Sequence, residues 1–169
     1  MIKLIAMDID NTITSYKNLI PKRNIRAIKK AVSQGVKIVL ASGRPEASII
    51  EVARRLGIEK DCYIVSFNGA RVRYLPQNRI LFNSHLSDEC VNLLLQLSKE
   101  ENIFMHTYKD NFVITEKKNF YSRLEAKLIK SIVKGRFGLV DKSLLNKDKE
   151  VIFTTMRIIG ELRVDKYVD

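Results

Sequence analysis

Residues 2–12 read Ile2-Lys3-Leu4-Ile5-Ala6-Met7-Asp8-Ile9-Asp10-Asn11-Thr12, a short apolar run that ends abruptly in two carboxylates. Ile2–Met7 is almost continuously apolar, the pattern of a strand buried on both faces. Carboxylates at i and i+2 fall on one side of an extended chain. They repel unless a cation lies between them, and a hard divalent ion with oxygen ligands suits such a pair. Asn11 and Thr12 turn the chain and offer donors. Taken alone, the pair reads first as a strand-end turn with solvated carboxylates. Its meaning depends on what the chain places beside it.

The chain that follows alternates strand and helix. Pro21 marks a helix's first turn; Ile25, Ile28 and Val32 follow at spacings of three and four, and Gly35 closes it. Val36–Ala41 is a second buried strand. Pro45 opens another helix, with Ala47, Ile50, Ala53 and Leu56 on one face and Gly57 at its end. Tyr63–Ser66 reads as a third strand. This alternation implies a parallel sheet with right-handed crossovers, whose sites lie beyond the strand C-termini. Asp8, Asp10, Ser42 and Asn68 all fall there.

Two further segments on that rim carry chemistry. Ala41-Ser42-Gly43-Arg44-Pro45 joins the second strand to the second helix. A helix N-terminus presents free N–H groups and a partial positive charge, which suits a phosphoryl group. Ser42 adds a hydroxyl donor, Gly43 lets the backbone approach closely, and Arg44 could reach a substrate anion. The same residues also make an ordinary cap with Pro at the helix start. Phe67-Asn68-Gly69-Ala70 follows the third strand; Asn-Gly is a common turn and gains value only from its position.

After Gly69 the pattern changes. Arg71–Leu75 and Arg79–Asn83 flank Pro76-Gln77-Asn78, a hairpin signature. Ser87 caps a helix with Val91, Leu94, Leu95 and Ser98 inward. Ile103–Tyr108 and Phe112–Thr115 flank Lys109-Asp110-Asn111, a second hairpin. Phe120, Leu124, Leu128 and Ile132 mark another helix, ended by Gly135, and Val151–Met156 reads as one more strand. A separate α+β unit is expected from about residue 83. The stretch from Gly160 to Asp169 has no strong period.

Composition bounds the rest. The chain has 169 residues, 46 % of them hydrophobic, enough for a core in one ordinary domain or two small ones. No apolar run approaches the ~18–20 residues of a membrane span, and the N-terminus lacks a signal-peptide layout. A cytoplasmic location without membrane attachment is the expectation. Cys62 and Cys90 form no CxxC and have no nearby His pair, so both read as core or surface thiols. The formal charge is +11, and no Asp or Glu occurs between Asn11 and Pro45. A basic face attracts anions, yet no aromatic-basic interleaving or zinc-finger spacing points to nucleic acid. Neither GxxxxGK[ST] nor GxGxxG occurs, and no acceptor Asp follows the third strand as a receiver domain would need. His85 and His106 lie away from these motifs and read as surface or packing residues.

Together the three rim segments resemble the haloacid-dehalogenase superfamily, most closely its Cof-type subgroup of sugar and small-molecule phosphatases. IKLIAMDIDNT resembles the first motif, VLASGRP the second, and SFNGA the segment that precedes the cap. The resemblance implies an α/β fold: a Rossmann-like parallel-sheet core, first half only, at residues 1–82, with an inserted α+β cap domain at 83–169. It implies a Mg²⁺-dependent phosphatase acting on small phosphorylated metabolites through an aspartyl-phosphate intermediate. Asp8 would be the nucleophile and a metal ligand. Asp10 would be the general acid/base, its backbone carbonyl also binding Mg²⁺. Thr12, Ser42, Gly43, Arg44 and Asn68 would hold phosphate or substrate.

The family pattern also includes a phosphate-facing lysine and a Gly-Asp-x-x-x-Asp-type motif after the cap. Neither occurs here. Glu161, Asp165 and Asp169 lack a preceding strand and glycine turn, and Lys109, Lys134 and Lys149 fall within the cap-like half. A core without its later strands would expose a hydrophobic edge and an uncovered face, and would favour self-association. Two readings therefore stay open: an active phosphatase, or an inactive fragment of this lineage.

Overall fold

A computed structural model of the chain describes residues 2–15, 19–102, 104–109, 112–115, 120–133, 138–140 and 157–159. These fall into two units, Met1–Ser84 with Ser131–Lys134, and His85–Lys130 with Gly135–Asp169.

The first unit is built on a five-stranded sheet in the order β1-β2-β3-β4-β5. Its strands are β1 (Leu4–Asp8), β2 (Lys37–Ala41), β3 (Cys62–Ser66), β4 (Arg71–Tyr74) and β5 (Arg79–Asn83). The first three are parallel, and the hairpin of β4 and β5 extends the same sheet antiparallel. Helices α1 (Lys22–Ser33) and α2 (Glu46–Leu56) make the two crossovers. The parallel register is level: Asp8 pairs with Ala41, and Ala41 with Val65. Three strand C-termini thus end in one row, about 4.8 Å apart from neighbour to neighbour.

The core lies on one face of that sheet. Ile38, Leu40, Cys62 and Ile64 are fully buried there, against Ile49, Val52, Ala53 and Leu56 of α2 and Ile28 of α1. Full burial of an Ile or Leu side chain contributes about 1.5–3 kcal/mol, so this helix face dominates the local stability. The α2 stripe is turned from the expected one. Ile49 and Val52 face the core, while Ala47 and Ile50 are only half-buried. Gly57 closes the helix in the left-handed region, at φ 68°, where a Cβ would be strained.

Strand β1 departs from the expectation of burial on both faces. Leu4, Ala6 and Asp8 are exposed, with Leu4 at 53 %. Among the described residues β1 pairs only with β2, and no described helix covers the face that carries Leu4 and Ala6.

The second unit has α3 (Asp88–Glu100), β6 (Phe104–Lys109), β7 (Phe112–Thr115), α4 (Phe120–Val133) as far as Lys130, β8 (Gly138–Val140) and β9 (Arg157–Ile159). Its sheet runs β8-β7-β6-β9. Ser87 caps α3, its hydroxyl accepting from the N–H of Cys90 at 3.2 Å. His106 is buried, its Nε2 3.2 Å from the Tyr108 hydroxyl, which donates to Glu125 at 2.7 Å. His85 is exposed. The strand expected at Val151–Met156 and the stretch 160–169 lie outside the described residues. No helix among the described residues is long and apolar enough to cross a membrane.

Candidate active site

The site grows from the turn after β1. Ile9, between the two carboxylates, is fully buried, and Asp8 and Asp10 on either side of it are exposed. Burial of the middle residue thus holds both acids on the solvent side. The turn Ile9–Ile13 needs a left-handed residue, and Asn11 supplies it at φ 60°. Asn adopts that region more readily than most residues. Ile13 returns to the core. The Thr14 N–H and hydroxyl both donate to the Ile9 carbonyl, at 2.9 and 3.0 Å. Asn24 of α1 donates its amide N–H to the Ile13 carbonyl at 3.0 Å. The carboxylates therefore sit on a loop pinned at both ends. Thr12 donates to Asp8 Oδ2 at 3.4 Å, a long and weak contact.

The second segment leaves β2 at the same level. The Ser42 N–H donates to the Val65 carbonyl at 3.0 Å. Its hydroxyl oxygen accepts from the Arg44 N–H at 3.2 Å, which leaves the Ser42 O–H as a donor. Pro45 stands just ahead of α2 in the cap position, one place earlier than expected. The Ser48 N–H already donates to the Pro45 carbonyl at 3.0 Å, and the N–H groups of Glu46 and Ala47, ahead of the first intrahelical bond, can receive an anion.

The third segment lies against the second. The Phe67 N–H donates to the Arg44 carbonyl at 3.2 Å. Phe67 and Asn68 both have positive φ, 53° and 55°. That is rare for a bulky residue and is commonest where function over-determines the backbone. A Cβ placed on Gly43 would lie 2.5 Å from Asn68 Oδ1. Position 43 therefore has to be glycine for the Asn68 side chain to stay where it is.

Arg44 makes the firmest link. Its Nε donates to Asp10 Oδ2 at 2.9 Å and its Nη2 to Oδ1 at 2.5 Å. Its Nη1 donates to Ser48 Oγ at 3.3 Å. The structure thus brings Asp8, Asp10, Thr12, Ser42, Gly43, Arg44 and Asn68 to one rim, with the Arg44 guanidinium on Asp10.

Two features escaped the sequence reading. Ser48, buried in α2, braces Arg44. Glu46, the first α2 residue, accepts from Arg73 Nε at 2.6 Å, Arg73 Nη2 at 3.1 Å and Arg71 Nη1 at 3.3 Å. That cluster ties the start of α2 to β4. The signal for it was Arg71 and Arg73 at i and i+2 on a predicted strand, which puts two charges on one sheet face.

Asp8 and the Asp10 backbone carbonyl are hard oxygen donors, the chemistry Mg²⁺ takes, and Mg²⁺ usually keeps several waters around one or two carboxylates. The Asp10 carboxylate suits this less well, since both its oxygens accept from Arg44. Among the described residues no three His, Cys, Asp or Glu side chains gather as a metal cage. Cys62 is not a nucleophile: burial, with Asp61 and Glu59 nearby, pushes its thiol up to about 12.

A level parallel sheet, a carboxylate pair after β1 and a helix N-terminus after β2 define an α/β protein with its candidate site at the strand C-termini. The profile of the haloacid dehalogenase-like hydrolases matches residues 5–166, and the chain belongs to that family. It is 26 % identical over 113 residues to phosphatase YwpJ of Bacillus subtilis, covering 67 % of this chain and 39 % of that protein. It is 30 % identical over 89 residues to the 5-amino-6-(5-phospho-D-ribitylamino)uracil phosphatase YcsE of Bacillus subtilis, covering 50 % of this chain and 35 % of that one. A haloacid dehalogenase-like hydrolase of Bacteroides thetaiotaomicron superposes with TM-score 0.80 at 26 % identity, over 95 % of this chain and 59 % of its own. The chain therefore spans well under two thirds of the length of these relatives.

Proposed function

We propose that this chain carries the nucleophile-bearing part of a Mg²⁺-dependent phosphoric monoester hydrolase for small phosphorylated metabolites. The observation that carries the reading is the gathering of Asp8, Asp10, Ser42 and Asn68 on one sheet rim beside the N-terminus of α2. A relative named for a phosphorylated ribityl compound supports the substrate class.

Asp8 Oδ attacks phosphorus as the ester P–O bond breaks, giving an aspartyl phosphate. Asp10 passes its proton to the departing oxygen, then takes one from the water that cleaves the acyl phosphate. That second step frees inorganic phosphate and restores Asp8. The Ser42 O–H, the N–H groups of Glu46 and Ala47 and the Asn68 amide would hold the phosphoryl oxygens. Each such donor is worth about 3 kcal/mol, or a hundredfold in rate. Asp8 and the Asp10 carbonyl would hold Mg²⁺, which would supply positive charge against the transferring group. A cap formed by residues 83–169 would exclude water and select the substrate.

The test is phosphate release from p-nitrophenyl phosphate with Mg²⁺, comparing wild type with Asp8→Asn. Loss of turnover in the variant supports the reading. Equal slow release from both would refute it for this chain and favour a non-catalytic fragment of the lineage.

A further inference from the structure

We propose that Arg71 is a positioning residue that holds the Phe67 ring and thereby aims the Asn68 amide; the inference rests on the phosphoryl-holding role given to Asn68 above. Phe67, Asn68 and Gly69 follow one another in the left-handed region, at φ 53°, 55° and 97°. Gly69 adopts that region without steric cost, and Asn68 at little. Phe67 does not, and a bulky residue stays there only where its surroundings over-determine it. Its N–H donates to the Arg44 carbonyl at 3.2 Å. Its side chain is 4 % exposed and has the Arg71 guanidinium over the ring, 5.7 Å from the centroid.

Arg71 is held in its turn. Its Nε donates to Asn83 Oδ1 at 2.9 Å and its Nη1 to Glu46 Oε2 at 3.3 Å, and the side chain is 11 % exposed. Ser66 pairs with Arg71 across the base of the turn, so the guanidinium folds back over the first turn residue. A flat guanidinium covers a ring face as the compact ammonium of a lysine does not. Asn68 is exposed, and no hydrogen bond among the described residues fixes its side-chain amide. The amide lies against Gly43, where a Cβ would meet Oδ1 at 2.5 Å. Its direction is therefore set by the turn backbone, and the turn backbone by Phe67. The path from Glu46 through Arg71 and Phe67 to Asn68 lets the start of α2 control a donor that follows a different strand.

The experiment is a double-mutant cycle on the affinity for inorganic phosphate, measured by titration calorimetry with Mg²⁺ on wild type, Arg71→Ala, Asn68→Ala and the double variant. Each single variant should bind about tenfold more weakly, for the loss of one hydrogen bond, and the double variant also about tenfold, since both act on one donor. Arg71→Lys should not restore binding. A double variant weakened about a hundredfold would make Arg71 act on the anion independently of Asn68 and overturn the inference. So would unchanged affinity in Arg71→Ala, or full restoration by Lys. If Arg71→Ala does not fold, Phe67→Leu, which keeps an apolar side chain and removes the ring, takes its place with the same expected outcomes. A wild type that binds no phosphate sinks the proposed function instead. In that case the nuclear Overhauser effect between the Asn68 side-chain amide and the Gly43 α-protons decides the positioning. A signal present in wild type and lost in Arg71→Ala supports it; a signal kept in both, or absent from both, refutes it.

Discussion

Removing the Glu46 carboxylate should loosen the N-terminus of α2 and destabilise the first unit by more than an ordinary surface ion pair would. Glu46 is 14 % exposed, Arg71 11 % and Arg73 14 %, so the three charges are largely withdrawn from water. Breaking a buried pair by deleting one partner costs about 3–5 kcal/mol, because the other charge is left uncompensated. Two features reduce that figure here. Arg71 Nε keeps Asn83 Oδ1 at 2.9 Å, and Arg73 Nη1 keeps the Asn78 carbonyl and side chain at 3.1 and 2.8 Å. The residual exposure admits some water. We expect Glu46→Ala to cost about 2–3 kcal/mol, and Glu46→Gln, which keeps one acceptor oxygen, about 1–2 kcal/mol. For a unit of this size that is a drop in Tm of about 10–20 °C for the alanine variant.

The measurement is urea unfolding followed by near-ultraviolet circular dichroism. The chain has no Trp, and the stacked Tyr63–Tyr74 pair, with ring centroids 4.6 Å apart on β3 and β4, reports on the first unit. Glu51→Ala is the internal comparison. Its Arg54 partner is 60 % exposed, and such a pair contributes about 0–1 kcal/mol. If Glu46→Ala loses less than about 1 kcal/mol, or no more than Glu51→Ala, the cluster does not anchor α2. A triple replacement by Leu at 46 and Met at 71 and 73 should recover much of the loss, since no charge is then left stranded.

Two further outcomes follow from the same contacts. Gly43→Ala puts a Cβ 2.5 Å from Asn68 Oδ1, which can swing away; stability should change by less than about 1 kcal/mol, while inhibition by inorganic phosphate weakens about tenfold, for the loss of one hydrogen bond. Equal phosphate inhibition in the two proteins would remove Asn68 from the site. The Cys62 thiol, raised to about 12, stays protonated in the folded chain where an unfolded thiol ionises. The unfolded state then binds fewer protons, so stability is full below pH ~9 and falls by about 1.4 kcal/mol per unit as pH rises towards 12. Urea midpoints at pH 8 and 10.5 should show this slope in wild type and not in Cys62→Ala, and iodoacetamide should label exposed Cys90 before Cys62.

The alternation of the first 83 residues was readable because each element there has one dominant signal. Pro21 and Pro45 stand at helix starts, Gly35 and Gly57 at helix ends, and the strands between are short apolar runs. Level registration of β1, β2 and β3 then follows from the crossovers and brings three unremarkable segments together. What could not be read was side-chain pairing across the sheet. Arg44 on Asp10 links residues 34 apart, and Glu46 on Arg73 links residues 27 apart; neither leaves a local periodicity. Burial of β1 was misjudged for a related reason. An apolar run reports what a strand can tolerate on both faces, not which neighbours cover it. Among the described residues β1 has one paired edge and one helix-covered face, so Leu4 and Ala6 are exposed.

The rim is organised by three residues at the junction of β2 and α2. Gly43 makes room for Asn68 after β3, Arg44 holds Asp10 after β1, and Glu46 holds Arg71 and Arg73 on β4. Each contact reaches a different strand, and all three start from the N-terminal end of one helix. That helix is fixed in turn by Ile49, Val52 and Leu56, each at most 1 % exposed. Preorganisation of an anion site needs donors held still before the ligand arrives. Here the stillness comes from apolar packing two turns away. The same sequence stretch that carries Ser42 therefore also fixes the Asp10 carboxylate through Arg44, and damage to the α2 core face should reach both.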